Sequence, residues 1–349
     1  MKDKGTKKPE TKQKELNLFS KETFIPEDQR IFVPNANNKP PEAETVISFN
    51  GSRFLTTGNL SAIISRAGTG KSSLCEAIMA KHLNPNCDGL GFDIELKGYR
   101  DKIIYIDGER TIYDTWNSWE RMRNRAGIEL SKDDSRVIMA NFKPISIQER
   151  INNVSELLKK NDNVGLIILD GGGEFVTDIN SIVETTCLKN WIYSFNSSIS
   201  VLTTIHSNPD SNKPRGTVGS ELWRTSEGIV LLRKIQGTEI REITTDFDYG
   251  KIRNDSDKIN HFYTWEPDKQ MFVSAKYDGK LNLSKTASDK QLKLIEEIYN
   301  NGHNVMTSSQ ITRRICEISQ KTPEAAKKYF QREIKGLLEK FGDGYKIKQ

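Results

Sequence analysis

An eight-residue run, Ser65-Arg66-Ala67-Gly68-Thr69-Gly70-Lys71-Ser72, restricts this chain more than any other segment. Before it, Leu60-Ser61-Ala62-Ile63-Ile64 reads as a buried strand, and after it Ser72 to His82 reads as a helix. A strand that curls through glycines into a helix points successive backbone N–H groups at one place. The partial positive charge of the helix N-terminus adds to them. Such a turn suits phosphate, with Lys71 neutralising the β and γ phosphates and Ser72 offering a hydroxyl to Mg²⁺. The segment Ser65, Arg66, Ala67, Gly68, Thr69, Gly70, Lys71, Ser72 and Ser73 is therefore expected to bind ATP with Mg²⁺. It departs from the usual pattern at its first position, where Ser65 replaces a glycine.

The alternation of strand and helix continues. Lys102–Ile106, Arg136–Ala140, Val164–Leu169 and Ser200–Ile205 read as strands, and Tyr113–Ala126, Ile147–Lys160 and Ile182–Asn196 as helices. Continuous apolar strands separated by helices predict an α/β fold with a mainly parallel sheet covered on both faces. After Glu227, short alternating runs such as Gly228–Leu232 suggest further, antiparallel strands at one edge. Two carboxylates fall at expected strand ends, where open α/β sheets bind ligands. Asp170 closes Leu166-Ile167-Ile168-Leu169-Asp170 and is expected to hold Mg²⁺ through water. Glu109, in Tyr105-Ile106-Asp107-Gly108-Glu109, is the candidate general base that orients the attacking water.

Taken in this order, the three motifs resemble the RecA-like P-loop ATPases, closest to the AAA-family, plasmid-replicative-helicase type of hexameric ring, over roughly residues 49 to 234. The resemblance favours Glu109 over Asp107 as the base. It makes Asp170-Gly171-Gly172-Gly173-Glu174-Phe175-Val176-Thr177-Asp178-Ile179-Asn180 similar to the family's Walker B loop. It makes Thr203-Thr204-Ile205-His206 similar to a strand ending in a polar sensor of the γ phosphate, here His206. Arg215-Gly216-Thr217-Val218-Gly219-Ser220-Glu221-Leu222 resembles a further family segment. Arg215, Arg233 and Lys234 are the candidates for a finger acting on the neighbouring subunit's ATP, and a surface ion pair competes as the role of each. A homo-oligomeric ring follows from the resemblance alone.

The 349 residues exceed the usual single domain, and a net charge of +5 is unevenly placed. Ala287 to the end carries 12 Lys and Arg against 8 Asp and Glu. Residues 1–44 read as a flexible, polar arm, 45–275 as the ATPase domain, 276–288 as a linker and 289–349 as a separate basic unit. In that unit Asp289–Asn300 has helical spacing, Thr307-Ser308-Ser309-Gln310 caps a second helix, and Thr322-Pro323-Glu324 opens a third. Tyr345-Lys346-Ile347-Lys348 then reads as a short wing, so the unit resembles a winged helix-turn-helix. Lys327, Lys328, Arg332, Lys335 and Lys346 are its candidate DNA contacts, and a protein-contact role with solvated lysines is the alternative.

The implied function is a DNA-dependent ATPase working in replication or mobilisation of a plasmid-like element. The rivals are a DNA-binding regulator that uses ATP as an assembly switch, a filament-forming recombinase mediator and, more distantly, a small-molecule kinase. The four cysteines form no CxxC pair, which argues against a zinc site or disulfide framework and fits a reduced cytoplasm. The mean hydropathy of −0.62 and the lack of any long apolar run predict no membrane span and no secretory leader.

Overall fold

The computed structural model describes residues 34, 37, 39–40, 42–132, 134–195, 197–209, 211–235, 238–253, 258–277, 289–300 and 305–347, and not the side chains of 289, 290 and 292. The expected arm, the expected linker and Lys348 of the expected wing lie almost wholly outside these residues. The chain divides into two compact units: Met1–Leu231 with Thr244–Ile259, and Leu232–Ile243 with Asn260–Gln349.

The elements run β1 (Thr45–Phe49), β2 (Ser52–Thr56), β3 (Leu60–Ser65), α1 (Lys71–Leu83), β4 (Phe92–Ile94), β5 (Lys102–Asp107), α2 (Ile112–Ala126), β6 (Val137–Asn141), α3 (Ile147–Lys160), β7 (Val164–Asp170), α4 (Ile182–Tyr193), β8 (Ser200–His206), α5 (Gly216–Thr225) and β9 (Gly228–Lys234). After them come β10 (Arg241–Thr244), β11 (Lys251–Ile252), β12 (Asn260–Glu266), β13 (Met271–Ser274), α6 (Asp289–Tyr299), α7 (Ser308–Ser319), α8 (Pro323–Tyr329), β14 (Leu338–Phe341) and β15 (Gly344–Ile347).

In the first unit the strand order is β9-β3-β8-β7-β5-β6, with β11 antiparallel to β9. The pairs β3/β8, β8/β7, β7/β5 and β5/β6 are parallel, so the sheet is mixed but mostly parallel, as the apolar runs predict. Every residue of β3 and of β7 is buried, because both faces of these strands are covered. Ile104, Ile106, Ile167 and Leu169 pack with Val154 of α3, Leu188 and Trp191 of α4 and Leu222 of α5 in one core cluster. α1 packs with α2, β3 and β7.

Two features were not legible in the pattern. A second, antiparallel sheet, β2-β1-β4, stands apart from the large one, and Phe92 stacks on Phe49 at 4.7 Å and meets Phe54 edge-on at 5.4 Å. The helix expected over Ile182–Asn196 stops at Tyr193, where Ser194 caps it and donates from its hydroxyl to the Trp191 carbonyl at 2.7 Å.

Helix starts are set by side chains. Thr111 caps α2 and Ser146 caps α3, each in a reciprocal capping box with the acid three residues on, Asp114 and Glu149. Gly127 ends α2 in the left-handed conformation, φ 70°. Thr111 is two residues from Glu109, so this cap also fixes where the turn bearing the candidate base ends. Thr111→Ala is expected to lower stability by about 1 kcal/mol, read from urea unfolding midpoints at unchanged slope.

In the second unit β12 and β13 form an antiparallel hairpin, in the order β13-β12-β10. Farther along, α6, α7 and α8 surround a core that includes Ile298, Ile311, Ile315, Phe330 and Ile334. The third helix opens at Pro323 as expected and is α-helical only to Tyr329. It continues as a π turn over Phe330–Ile334 and a 3₁₀ turn over Lys335–Leu337. Gly336 weakens the last turn, and Leu338 is buried while Glu339 and Lys340 are exposed. β14 therefore forms where no strand was expected, and it pairs antiparallel with β15 around Gly342, φ 60°.

Candidate functional site

The carboxyl ends of four neighbouring parallel strands bring the candidate residues together. In the ladder Ser65 of β3 pairs with His206 of β8, and Asp107 of β5 with Asp170 of β7. The chain leaves β3 at Ser65, turns through Gly68 (φ 74°) and Gly70 (φ 102°), and enters α1 at Lys71. A Cβ added to Gly68 would meet nothing within 4 Å, so its backbone angle and not crowding demands glycine there. No side chain caps α1, which leaves its first N–H groups facing the turn.

Lys71 is 7% exposed. Its ammonium donates to the Ser65 hydroxyl at 3.1 Å and meets Nδ1 of His206 at 3.2 Å. Nε2 of the same ring lies 3.3 Å from Oε2 of Glu109. An ammonium can only donate, so Nδ1 accepts and the ring proton sits on Nε2, facing the carboxylate. Three residues assigned separate roles from the sequence thus form one chain, Lys71–His206–Glu109. Burial pulls the Lys71 ammonium below its ordinary range, against the opposing charges of Asp170 and Glu109. The His206 hydrogen bond holds the Glu109 carboxyl below the usual range despite its partial burial. Ser65 is also more than a tolerated departure: its hydroxyl is one of the two partners of Lys71, and it donates to the Arg66 carbonyl at 2.9 Å.

Asp107 is fully buried and holds the next turn. Its Oδ1 accepts from the amides of Glu109 (3.1 Å) and Arg110 (3.0 Å), and its Oδ2 from Arg110 Nε (2.9 Å) and Thr115 Oγ1 (2.7 Å). Its hydrogen-bonding capacity is thus spent on protein groups, while the side chain of Glu109 is half exposed. Asp170, 4% exposed, accepts from Tyr105 Oη at 2.6 Å on Oδ2 and from Thr204 Oγ1 at 2.8 Å on Oδ1. Neither Tyr105 nor Thr204 was singled out in the sequence. Their only signal was a hydroxyl inside a buried strand.

The other candidates divide. Ser72 and Ser73 are half-buried at the start of α1, with no side-chain partner among the described residues, and Arg66 is exposed. Arg215 is the exposed residue preceding α5, and its side chain has no ion-pair partner among the described residues. Arg233 is paired with Glu242 at 2.6 Å and Lys234 with Glu239 at 3.0 Å, the surface role that competed with the finger. In the second unit Lys327, Lys328, Arg332 and Lys335 are exposed and Lys346 is half-buried. Lys328 pairs with Glu324 at 3.1 Å and Lys346 with Glu339 at 3.4 Å.

The donor set suits a magnesium-bound nucleotide. The loop offers backbone N–H groups and one ammonium, Ser72 has an uncommitted hydroxyl, and each Asp170 oxygen accepts one hydrogen bond and keeps a lone pair for a metal-bound water. Among the described residues no group of three or more His, Cys, Asp and Glu could hold a metal by itself, and no helix is long and apolar enough to cross a membrane. No protein-family model matches this chain, and no curated protein matches it.

Proposed function

We propose that this chain is a RecA-like ATP hydrolase whose turnover drives work on DNA within a homo-oligomer, with a hexameric ring as the assembly. The Lys71–His206–Glu109 chain beside the glycine turn carries the hydrolase part. The loop from Ser65 to Ser73 wraps the triphosphate. Ser72, and Asp170 through water, would hold Mg²⁺, which would neutralise charge on the β and γ phosphates. Lys71 exchanges His206 for phosphate oxygen, so His206 registers the γ phosphate through the partner it loses. Glu109, kept ionised by His206, orients the water and takes its proton. Arg215 is the finger candidate that this reading prefers, because Arg233 and Lys234 already have acidic partners.

For the DNA part, Lys328, Arg332 and Lys335 are exposed along α8 and the π and 3₁₀ turns that continue it, in a unit of three helices and the β14/β15 hairpin that this reading takes as a winged helix. ATP turnover is expected to rise on adding single- or double-stranded DNA, measured as phosphate release. Slow turnover indifferent to DNA would instead support an ATP-switched regulator. Lys327→Glu with Arg332→Glu is expected to weaken DNA binding at least about tenfold and to reduce the slope of log Kd against log salt by roughly 2. Parental affinity and slope in that variant would remove α8 and the π turn after it from the DNA surface.

A further inference from the structure

Arg110 follows Glu109 directly and lies at the centre of a polar network that the nucleotide reading does not use. Its side chain is mostly buried and makes three kinds of contact. Nε donates to Asp107 at 2.9 Å, Nη1 to Ser118 Oγ at 2.6 Å, and Nη2 to Tyr105 Oη at 2.7 Å. Ser118 in turn donates to Glu76, a buried residue of α1 five positions beyond Lys71 that Arg121 also grips at 2.7 Å. One guanidinium therefore ties together the helix that opens the phosphate loop, the turn that carries Glu109 and the strand β5.

The direction of the Tyr105 proton follows from this. A guanidinium has donors only, so the phenol oxygen must accept from Arg110. The single phenol proton is left for Asp170, whose Oδ2 is 2.6 Å away. Thr204 is oriented in the same way: its oxygen accepts from the Gly171 amide at 2.8 Å, which turns its proton toward Asp170 Oδ1. Burial opposes the charge on Arg110, but the Tyr105 oxygen and the carboxylates of Asp107, Asp170 and Glu76 outweigh it and keep the guanidinium protonated. Hydrogen bonds of this kind behind a metal-binding carboxylate set its orientation and commonly change metal affinity ten- to a hundredfold.

We propose that Arg110 and Tyr105 are positioning residues: the Arg110 fork aims the Tyr105 phenol at Asp170, and this sets the magnesium dependence of the nucleotide site. The proposal rests on the ATP reading. The test is thermal melting of the full chain with ADP at fixed concentration and increasing Mg²⁺, which needs no turnover. In wild type, Mg²⁺ added to ADP raises the melting temperature beyond ADP alone, and the half-effect Mg²⁺ concentration is recorded. Tyr105→Phe is expected to raise that concentration about tenfold, Arg110→Met at least as much, and Arg110→Lys by less, since one ammonium reaches fewer partners. Ile104→Val, a fully buried change on the same strand, controls for loss of stability: it melts lower with the Mg²⁺ midpoint unmoved.

If Tyr105→Phe and Arg110→Lys both behave like Ile104→Val, the network is structural and the proposal is overturned while the ATP reading stands. If wild type gives no shift with ADP and Mg²⁺, the ATP reading falls and takes the proposal with it. Should Arg110→Met fail to fold, Tyr105→Phe decides, because it keeps the ring and the packing and removes only the hydroxyl.

Discussion

Glu109→Gln stops ATP hydrolysis while ATP still binds. A positioned general base accounts for about 10²- to 10⁴-fold in rate, and glutamine keeps the shape of the side chain without its basicity. The His206 hydrogen bond holds the Glu109 carboxyl below the ordinary carboxylate range. The base form therefore persists through neutral pH, and the acid limb of the rate profile is expected below the usual glutamate range. The amide of residue 109 is still anchored by Asp107 at 3.1 Å, so the turn survives the substitution. The measurement is single-turnover phosphate release set against retention of ATP. A variant that hydrolyses ATP at the parental rate would show that the base lies elsewhere.

Lys71→Ala abolishes tight binding of Mg-ATP. Among the described residues Lys71 is the one buried cation at the glycine turn, with its ammonium already between the Ser65 hydroxyl and His206. Removing one member of a buried, charge-assisted contact costs about 3 kcal/mol or more, which corresponds to upwards of a hundredfold in Kd. Calorimetric titration of Mg-ATP into parent and variant reads this directly. His206 loses its Nδ1 donor in the variant, so the contact to Glu109 also loosens. Parental affinity in Lys71→Ala would remove the phosphate site and the function built on it.

These two results together separate binding from chemistry. Lys71→Ala is expected to act on affinity and Glu109→Gln on turnover, although the two side chains meet through a single imidazole. Arg110 and Tyr105 act one step further back, on the carboxylate that faces the metal. The three sets of variants thus load different parts of one strand edge.

Much of this arrangement was legible in the sequence, because it depends on local chemistry. Short, β-branched apolar runs such as Val164–Leu169 favour buried strands over helices, and β7 is buried throughout. Glycines at 68 and 70 announce positive backbone angles, and both have them. Thr307 with Gln310 announces a helix start, and α7 begins at Ser308. Each of these signals lies within a few residues of the structure it specifies.

What could not be read was whatever depends on partners far apart in the chain. Lys71 and His206 are separated by 135 positions, Tyr105 and Asp170 by 65, and Ser118 and Glu76 by 42. Only the parallel register, which sets Ser65 beside His206 and Asp107 beside Asp170, brings them within hydrogen-bonding distance. The occupation of Arg233 and Lys234 by Glu242 and Glu239, and of Asp107 by the turn beside it, was likewise settled in three dimensions. Residue types decide which chemistry a chain can offer. A polar side chain's role is decided by which groups satisfy its hydrogen bonds once water is excluded, and that choice is made by the packing of the sheet.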